Sequence, residues 1–207
     1  MRRVVVLGAG KIGVAVAAML AESGDYAVTL ADSDQTALTL RTPEGVKAVL
    51  VDVTDPAALR DLLSGHHVVA AALPFFLDVL VAEAARATGV HYFDLTEDVA
   101  TARAIRALAE GADTVFVPQC GLAPGFVSIT AMALAERFDE IRDVRLRVGA
   151  LPQFPDNALK YNLTWSTDGL INGYCNPCEA VADGRVMEVQ PLEGLEGFSL
   201  DGVSYEA

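Results

Sequence analysis

Between the apolar run Arg3 to Leu7 and a stretch of helical periodicity, Ile12 to Glu22, stands Gly8-Ala9-Gly10-Lys11-Ile12-Gly13. No other feature restricts the fold of this chain so tightly. A G-x-G-x-x-G hexamer is common in isolation, but directly after a buried strand and at the opening of a helix it has a structural meaning. Gly8 permits a tight turn, Gly10 lets something outside approach the backbone, and Gly13 lets the helix lie close against the strand. The first N–H groups of the helix and its dipole then face the loop and favour negative charge there.

The anion that such a loop takes is the pyrophosphate of a dinucleotide, with Gly8, Gly10, Lys11, Ile12 and Gly13 as the contacting residues. The second predicted strand, Tyr26 to Ala31, runs into Asp32, 19 residues beyond Gly13. That is close to the roughly 20 at which an acid meets the adenosine ribose. A carboxylate there accepts from both ribose hydroxyls and repels a 2′-phosphate. The residues that follow, Ser33, Asp34 and Gln35, offer no Arg to neutralise one. NAD is therefore the expected cofactor, ahead of NADP.

The rest of the first part alternates short apolar runs with helical patterns, the mark of βαβ units on a parallel sheet. Strands are expected at Val46 to Val51, Val68 to Ala72, His91 to Leu95 and Thr114 to Val117. Asp55-Pro56 reads as an N-cap and first-turn proline of a helix closed by Gly65; further helices span Phe75 to Thr88 and about Glu97 to Glu110. The first helix is expected to bury Ile12, Val16, Met19 and Leu20. Two loops leave the carboxyl ends of strands, where open α/β sheets bind ligands. Asp52 and Val53 would border the adenine, and Leu73 and Pro74 would lie beneath the cofactor's middle.

After Pro118 the pattern changes. Turn formers fill Cys120 to Gly125, Phe126 to Arg137 resumes as helix, and strands follow at Val144 to Leu151, Leu159 to Trp165 and Arg185 to Val189. The fold class is thus α/β: a Rossmann-type doubly wound parallel sheet over residues 1–122, then an α+β domain of mostly antiparallel sheet over residues 123–207.

Composition narrows the partners. A formal net charge of −13 disfavours nucleic acid, whose affinity comes from clustered Lys and Arg. The longest apolar stretch, Val68 to Leu77, is broken by Pro74 and falls short of the ~18 residues of a membrane span. Three cysteines and a start that lacks a secretory apolar core point to the cytoplasm. Cys175-Asn176-Pro177-Cys178 has C-x-x-C spacing, but no second pair follows and no metal site is expected.

VVVLGAGKIG at the start, HYFDLTED at 91–98, QCGLAPGF at 119–126 and LKYNLTWSTDGLINGYCNPC at 159–178 together resemble the saccharopine dehydrogenase-like oxidoreductases, the lysine 6-dehydrogenase type among them. The resemblance implies an NAD(P)-dependent dehydrogenase that moves a hydride from the amine-bearing carbon of an amino acid or amine to nicotinamide. It also implies a homodimer, and a second domain extending beyond Ala207, so that the chain reads as cut short in mid-sheet.

An amine must be neutral when it gives up hydride, so a base or water chain must take its proton. Asp94, at the end of the fifth strand, either serves that amine or caps the helix that follows. Cys120 and Tyr161 are the other catalytic candidates. Gly121, Pro124 and Gly125 either orient the substrate through their backbone or form a linker turn, and Trp165 and Ser166 would wall its site; Lys160 is expected to be exposed. A reductase forming a secondary amine from an aldehyde and an amine, and a non-catalytic NAD-sensing module, are the competing functions.

Overall fold

The computed structural model describes residues 1–149, 152, 154, 156–158, 161–163 and 166–206. The chain divides into two compact units, Met1–Phe126 and Val127–Ala207.

In the first unit, β1 (Arg2–Leu7), β2 (Tyr26–Asp32), β3 (Lys47–Leu50), β4 (Val68–Ala71), β5 (His91–Asp94) and β6 (Phe116–Val117) form one six-stranded sheet in the order β3-β2-β1-β4-β5-β6. Every pairing is parallel. Strand order reverses between β1 and β4, and an open sheet has its ligand crevice outside the carboxyl ends at such a point.

Alternation along β1 shows why its sequence is continuously apolar. Val4 and Val6 pack with Val28, Leu30, Ala17 and Leu38, whereas Val5 and Leu7 pack with Leu59, Leu63, Val69, Val81, Tyr92 and Ile105. Both faces are covered, as in a sheet built from βαβ crossovers. Helices α1 (Lys11–Glu22) and α2 (Gln35–Arg41) lie on the first face; α3 (Pro56–Leu63), α4 (Asp78–Thr88) and α5 (Val99–Ala109) lie on the second.

Local chemistry sets the helix ends. Asp34, Asp55 and Asp98 cap α2, α3 and α5 by accepting from backbone N–H groups of the first turns. Gly89 closes α4 in the left-handed region at φ 69°. The expected helix from Phe75 is instead a 3₁₀ turn, Phe75–Leu77, leading into α4. Helix α2 was not anticipated from the sequence, although Asp34 ahead of Gln35-Thr36-Ala37 carries its cap signal.

The expected buried face of α1 holds in part, since Val16 and Leu20 are half-buried against the core, and is corrected at its other two positions. Ile12 is 49% exposed and Met19 71%, whereas Gly13 and Ala17 are buried. The reason is distance: a helix that approaches its strand this closely turns its smallest residues inward, and larger ones rotate to the flanks.

Helix α6 (Phe126–Ala135) begins at the last residue of the first unit and otherwise belongs to the second, where α7 (Thr167–Cys175) follows. Two antiparallel hairpins come next, β7 (Cys178–Ala182) with β8 (Arg185–Val189), and β9 (Gly197–Leu200) with β10 (Val203–Glu206). Each turns through Asp-Gly with both residues at positive φ: 50° and 71° at Asp183-Gly184, 52° and 79° at Asp201-Gly202. That is the two-residue turn whose twist suits a hairpin. The expected strand from Val144 is not formed over residues 144–149, because no ladder partner meets it among the described residues. Instead Arg145 and Arg147 both reach Glu196. The expected strand over 159–165 lies largely outside the described residues, as do Lys160 and Trp165.

Among the described residues no helix is long and apolar enough to cross a membrane, and no cluster of three His, Cys, Asp or Glu side chains could hold a metal ion.

Leu63 is fully buried where α3 meets the sheet. Leu63→Ala is expected to lower unfolding stability by about 2–5 kcal/mol, measured by urea denaturation.

Candidate cofactor and active site

The glycine loop has the features its sequence implies, each for a measurable reason. Gly8 sits at φ +103°, and a Cβ there would lie 2.4 Å from the carbonyl oxygen of Ala72 and 3.3 Å from Leu73 Cδ2. A Cβ on Gly13 would fall 1.8 Å from the Gly8 carbonyl oxygen. A Cβ on Gly10 would meet nothing within 4 Å. Two glycines are therefore demanded by the protein's own packing, and the third leaves open space outside the turn.

Helix α1 begins at that open space with Gly10 as its N-cap, without a side-chain cap and without an acidic residue in its first turn. The contrast with the aspartate caps of α2, α3 and α5 matters. Helix N–H groups left without an internal acceptor suit an oxyanion from outside. Lys11 and Ile12 are exposed in the same first turn.

Asp32 ends β2 beside this loop. Its Oδ2 accepts from the Ala9 N–H at 2.5 Å and its Oδ1 from the Asp34 N–H at 2.8 Å. The carboxylate is half-buried and held in place, with lone pairs to spare for ribose hydroxyls. The loop after β3 is tied to the same edge, since the Val51 N–H donates to the Asp32 carbonyl at 2.9 Å. Val53 is buried, while the exposed Asp52 carboxylate accepts from the Thr54 hydroxyl and N–H, which lowers its pKa. Leu73 packs against Gly8, and Pro74 begins the 3₁₀ turn beyond it. The structure thus brings Gly8, Gly10, Gly13, Asp32, Leu73 and Pro74 to one edge of the sheet.

Sequence reasoning missed one residue there. Arg41, in the last turn of α2, donates from Nη1 to the Ala9 carbonyl at 3.2 Å. Its signal was the unrecognised helix, which spans the distance from Asp34 back to the glycine loop.

Asp94 is 1% exposed, and both of its carboxylate oxygens are engaged. Oδ2 accepts from the Tyr92 hydroxyl at 2.8 Å; Oδ1 accepts from the N–H groups of Thr96 and Gln119, each at 2.9 Å. The Asp94 carbonyl accepts from the Cys120 N–H at 2.8 Å. Asp98, not Asp94, caps α5. These contacts make Asp94 a clasp between the ends of β5 and β6, and they withdraw it from the role of an accessible base.

The segment after Cys120 folds on itself. The Gly121 N–H donates to the Pro124 carbonyl at 2.9 Å, and the Phe126 N–H to the Gly121 carbonyl at 2.8 Å. Gly125 is at φ +131°, and a Cβ there would lie 2.2 Å from the Gly121 oxygen. Those backbone groups of Gly121 and Pro124 serve the turn itself, which Gly125 closes. In the second unit, Ser166 caps α7 by accepting from the Gly169 N–H at 3.1 Å, and Tyr161 is bound through its backbone to Asn157.

Beneath the clasp lies Asp78, 1% exposed, whose Oδ1 has no hydrogen-bond partner. Burial, with the neighbouring Asp94 charge, pushes its carboxyl up to about 8. Burial and the same two carboxyls push the Tyr92 hydroxyl above its ordinary range, so it donates.

A glycine cradle on an uncapped helix, at the reversal point of a parallel sheet and beside a strand-end acid, defines a dinucleotide-binding protein of the Rossmann class. Residues 4–117 match the family model for the saccharopine dehydrogenase NADP binding domain, and residues 121–206 match that for the saccharopine dehydrogenase C-terminal domain. The chain belongs to the saccharopine dehydrogenase family. It is 26% identical to the saccharopine dehydrogenase (NADP+, L-glutamate-forming) of Saccharomyces cerevisiae over 91% of this chain and 44% of that protein. To the mitochondrial alpha-aminoadipic semialdehyde synthase of Rattus norvegicus it is 24% identical, over 97% of this chain and 24% of that protein. The solved apo saccharopine dehydrogenase (L-Glu forming) from S. cerevisiae has the same fold, with a TM-score of 0.73 at 24% identity, covering all of this chain and 49% of that one. The chain thus spans less than half the length of these relatives. The nucleotide named by the family model is NADP, which lends no support to the expected preference for NAD.

Two substitutions separate packing from binding at the loop. Gly13→Ala should lower the melting temperature, whereas Gly10→Ala should leave it nearly unchanged and weaken dinucleotide binding at least about tenfold by calorimetry. The Asp78 shift makes a second test. A carboxyl raised in the folded state contributes its full stability below the unfolded value of about 3.9 and loses it as pH rises through about 8. Across that window its contribution falls by about 1.4 kcal/mol per pH unit, and Asp78→Asn should remove that slope from urea-denaturation stabilities. Equal slopes in both proteins would show Asp78 to be ionised in its pocket.

Proposed function

We propose that this chain carries the cofactor site, and part of the substrate site, of an NAD(P)-dependent oxidoreductase acting on the C–N bond of an amino acid. The observation that carries it is the cradle: Gly8 and Gly13 excluded from any side chain by packing, Gly10 open, and α1 uncapped above them. The names of the relatives, saccharopine dehydrogenase and alpha-aminoadipic semialdehyde synthase, favour a saccharopine-type secondary amine over lysine as substrate.

The nicotinamide, when bound, supplies the hydride acceptor. The chain's own residues hold and exclude. The first turn of α1 takes the pyrophosphate, Asp32 takes the ribose hydroxyls, and Leu73 and Pro74 close one side. Asp32 disfavours a 2′-phosphate by charge, so NAD binds the more tightly of the two nucleotides. Asp94 positions Cys120 through the β5–β6 clasp, which leaves the amine proton to another group or to water, with Cys120 and Tyr161 the side chains to examine. Formation of a secondary amine from an aldehyde and an amine is the same reaction reversed. A purely NAD-sensing role is disfavoured by the match of residues 121–206 to the C-terminal domain of a dehydrogenase. A homodimer in the cytoplasm completes the proposal.

Calorimetry should show both nucleotides binding, NAD at least about tenfold tighter, or ~1.4 kcal/mol. In the whole protein, with saccharopine, reduced nicotinamide should accumulate at 340 nm, whereas these 207 residues alone should bind the nucleotide without oxidising the amine. Binding of neither nucleotide would overturn the proposal; reduction by lysine alone would move it to the lysine 6-dehydrogenase type.

A further inference from the structure

We infer that Arg41 is a determinant of cofactor choice: it offsets the charge of Asp32 at the ribose edge and lets the site hold a 2′-phosphate as well as a free 2′-hydroxyl. This rests on the dinucleotide reading of the loop and adds a residue to it.

The placement is specific. Ala9 is gripped from both of its polar ends, by Asp32 Oδ2 on its N–H and by Arg41 Nη1 on its carbonyl. Residues far apart in sequence thereby set a carboxylate and a guanidinium on one residue of the glycine loop. Asp32 is locked there by a second bond, from the Asp34 N–H. Asp34 in turn spends its Oδ1 on the N–H groups of Thr36 and Ala37, so the first turn of α2 has no free donors to offer a phosphate at those positions. The cation for that edge therefore comes from the other end of the helix.

The side chain suits the task. Arg41 is exposed, and its bond to Ala9 uses one nitrogen of a fork that has five N–H donors in a fixed plane. A guanidinium keeps its charge at any working pH and matches the geometry of phosphate oxygens. Without it, a nucleotide bearing the 2′-phosphate would meet Asp32 and Asp34 uncompensated. With it, the edge carries both signs, and selectivity becomes a balance between Asp32 and Arg41 rather than an exclusion by Asp32.

The test is calorimetric titration of wild type and Arg41→Ala with NAD and with NADP, at low and at high salt. Wild type should bind both. Arg41→Ala should weaken NADP at least about tenfold while changing NAD by less than about threefold, and the difference between the two proteins should shrink as salt rises. Arg41→Lys, which keeps the charge and loses the fork, should fall between them. Undetectable NADP binding by wild type, or an unchanged NAD-to-NADP ratio in Arg41→Ala, would overturn the inference while leaving the dinucleotide site standing. Equal weakening of both nucleotides would overturn it too, assigning Arg41 to bracing the loop. Binding of neither nucleotide by wild type would remove the reading on which it rests.

Discussion

A helix can approach a strand only as closely as the atoms between them permit. At Gly13 nothing stands between, for the Gly8 carbonyl oxygen occupies the place of a side chain. Gly8 in turn lies close to the Ala72 carbonyl just beyond β4, so β1, β4 and α1 meet through two glycines and Ala72. Much follows from this contact. It aims the start of α1 at the point where strand order reverses, and it turns Ala17 inward and Met19 outward. It also keeps Leu73 against the loop. A methyl group at either glycine would push the elements apart, and the only loop glycine with space for one is Gly10, which faces outward.

Around that contact the same side-chain chemistry serves two ends. Asp32 and Asp94 both terminate parallel strands and both bind backbone N–H groups. Asp32 is half-buried and accepts from the N–H groups of Ala9 and Asp34 at the edge of the glycine loop. Asp94 is buried, with three donors on its carboxylate, and it stitches β5 to the residues after β6. Satisfied carboxylates of this kind fix geometry, because a buried unpaired one costs several kcal/mol. Asp78 shows the alternative solution: lacking a partner for Oδ1, it takes up a proton. Burial and available donors, rather than residue type, decide which acid faces a ligand and which one holds the frame.

Those distinctions mark the limit of what the sequence disclosed. The sheet, its parallel order and the placing of Gly8, Gly10, Gly13 and Asp32 at one edge were legible because spacing along the chain encodes them: a strand, a hexamer, a helix, an acid. Asp94 was visible as a residue at a strand end, but its choice between ligand and clasp depends on Tyr92 and on Gln119, which lies across the sheet on a neighbouring segment. Ile12 and Met19 fit a helical stripe, and only the depth of the Gly13 contact shows that the stripe faces sideways. Arg41 escaped for the same reason, since a helix had to be placed before its last turn could be brought to Ala9. Beyond Pro118, alternation of apolar residues at Val144, Leu146 and Val148 imitated a strand, but a strand exists only where another ladder answers its backbone groups.

Burial divides the two units as sharply as sequence does. The core hydrophobics all lie between Val4 and Ile105 among the described residues, inside the first unit. The second unit is built of hairpins closed by Asp-Gly turns and of side-chain pairings such as Glu196 with Arg145 and Arg147. Exposed ion pairs of that kind are screened by solvent and hold a frame far less firmly than a buried aliphatic layer. Buried packing is therefore concentrated in the sheet that carries the glycine loop and Asp32. The proposed nucleotide recognition draws on positions fixed by a packed sheet. Ser166 in the second unit is set by the cap it makes on α7, so the two halves of the proposed reaction rest on different physical footings.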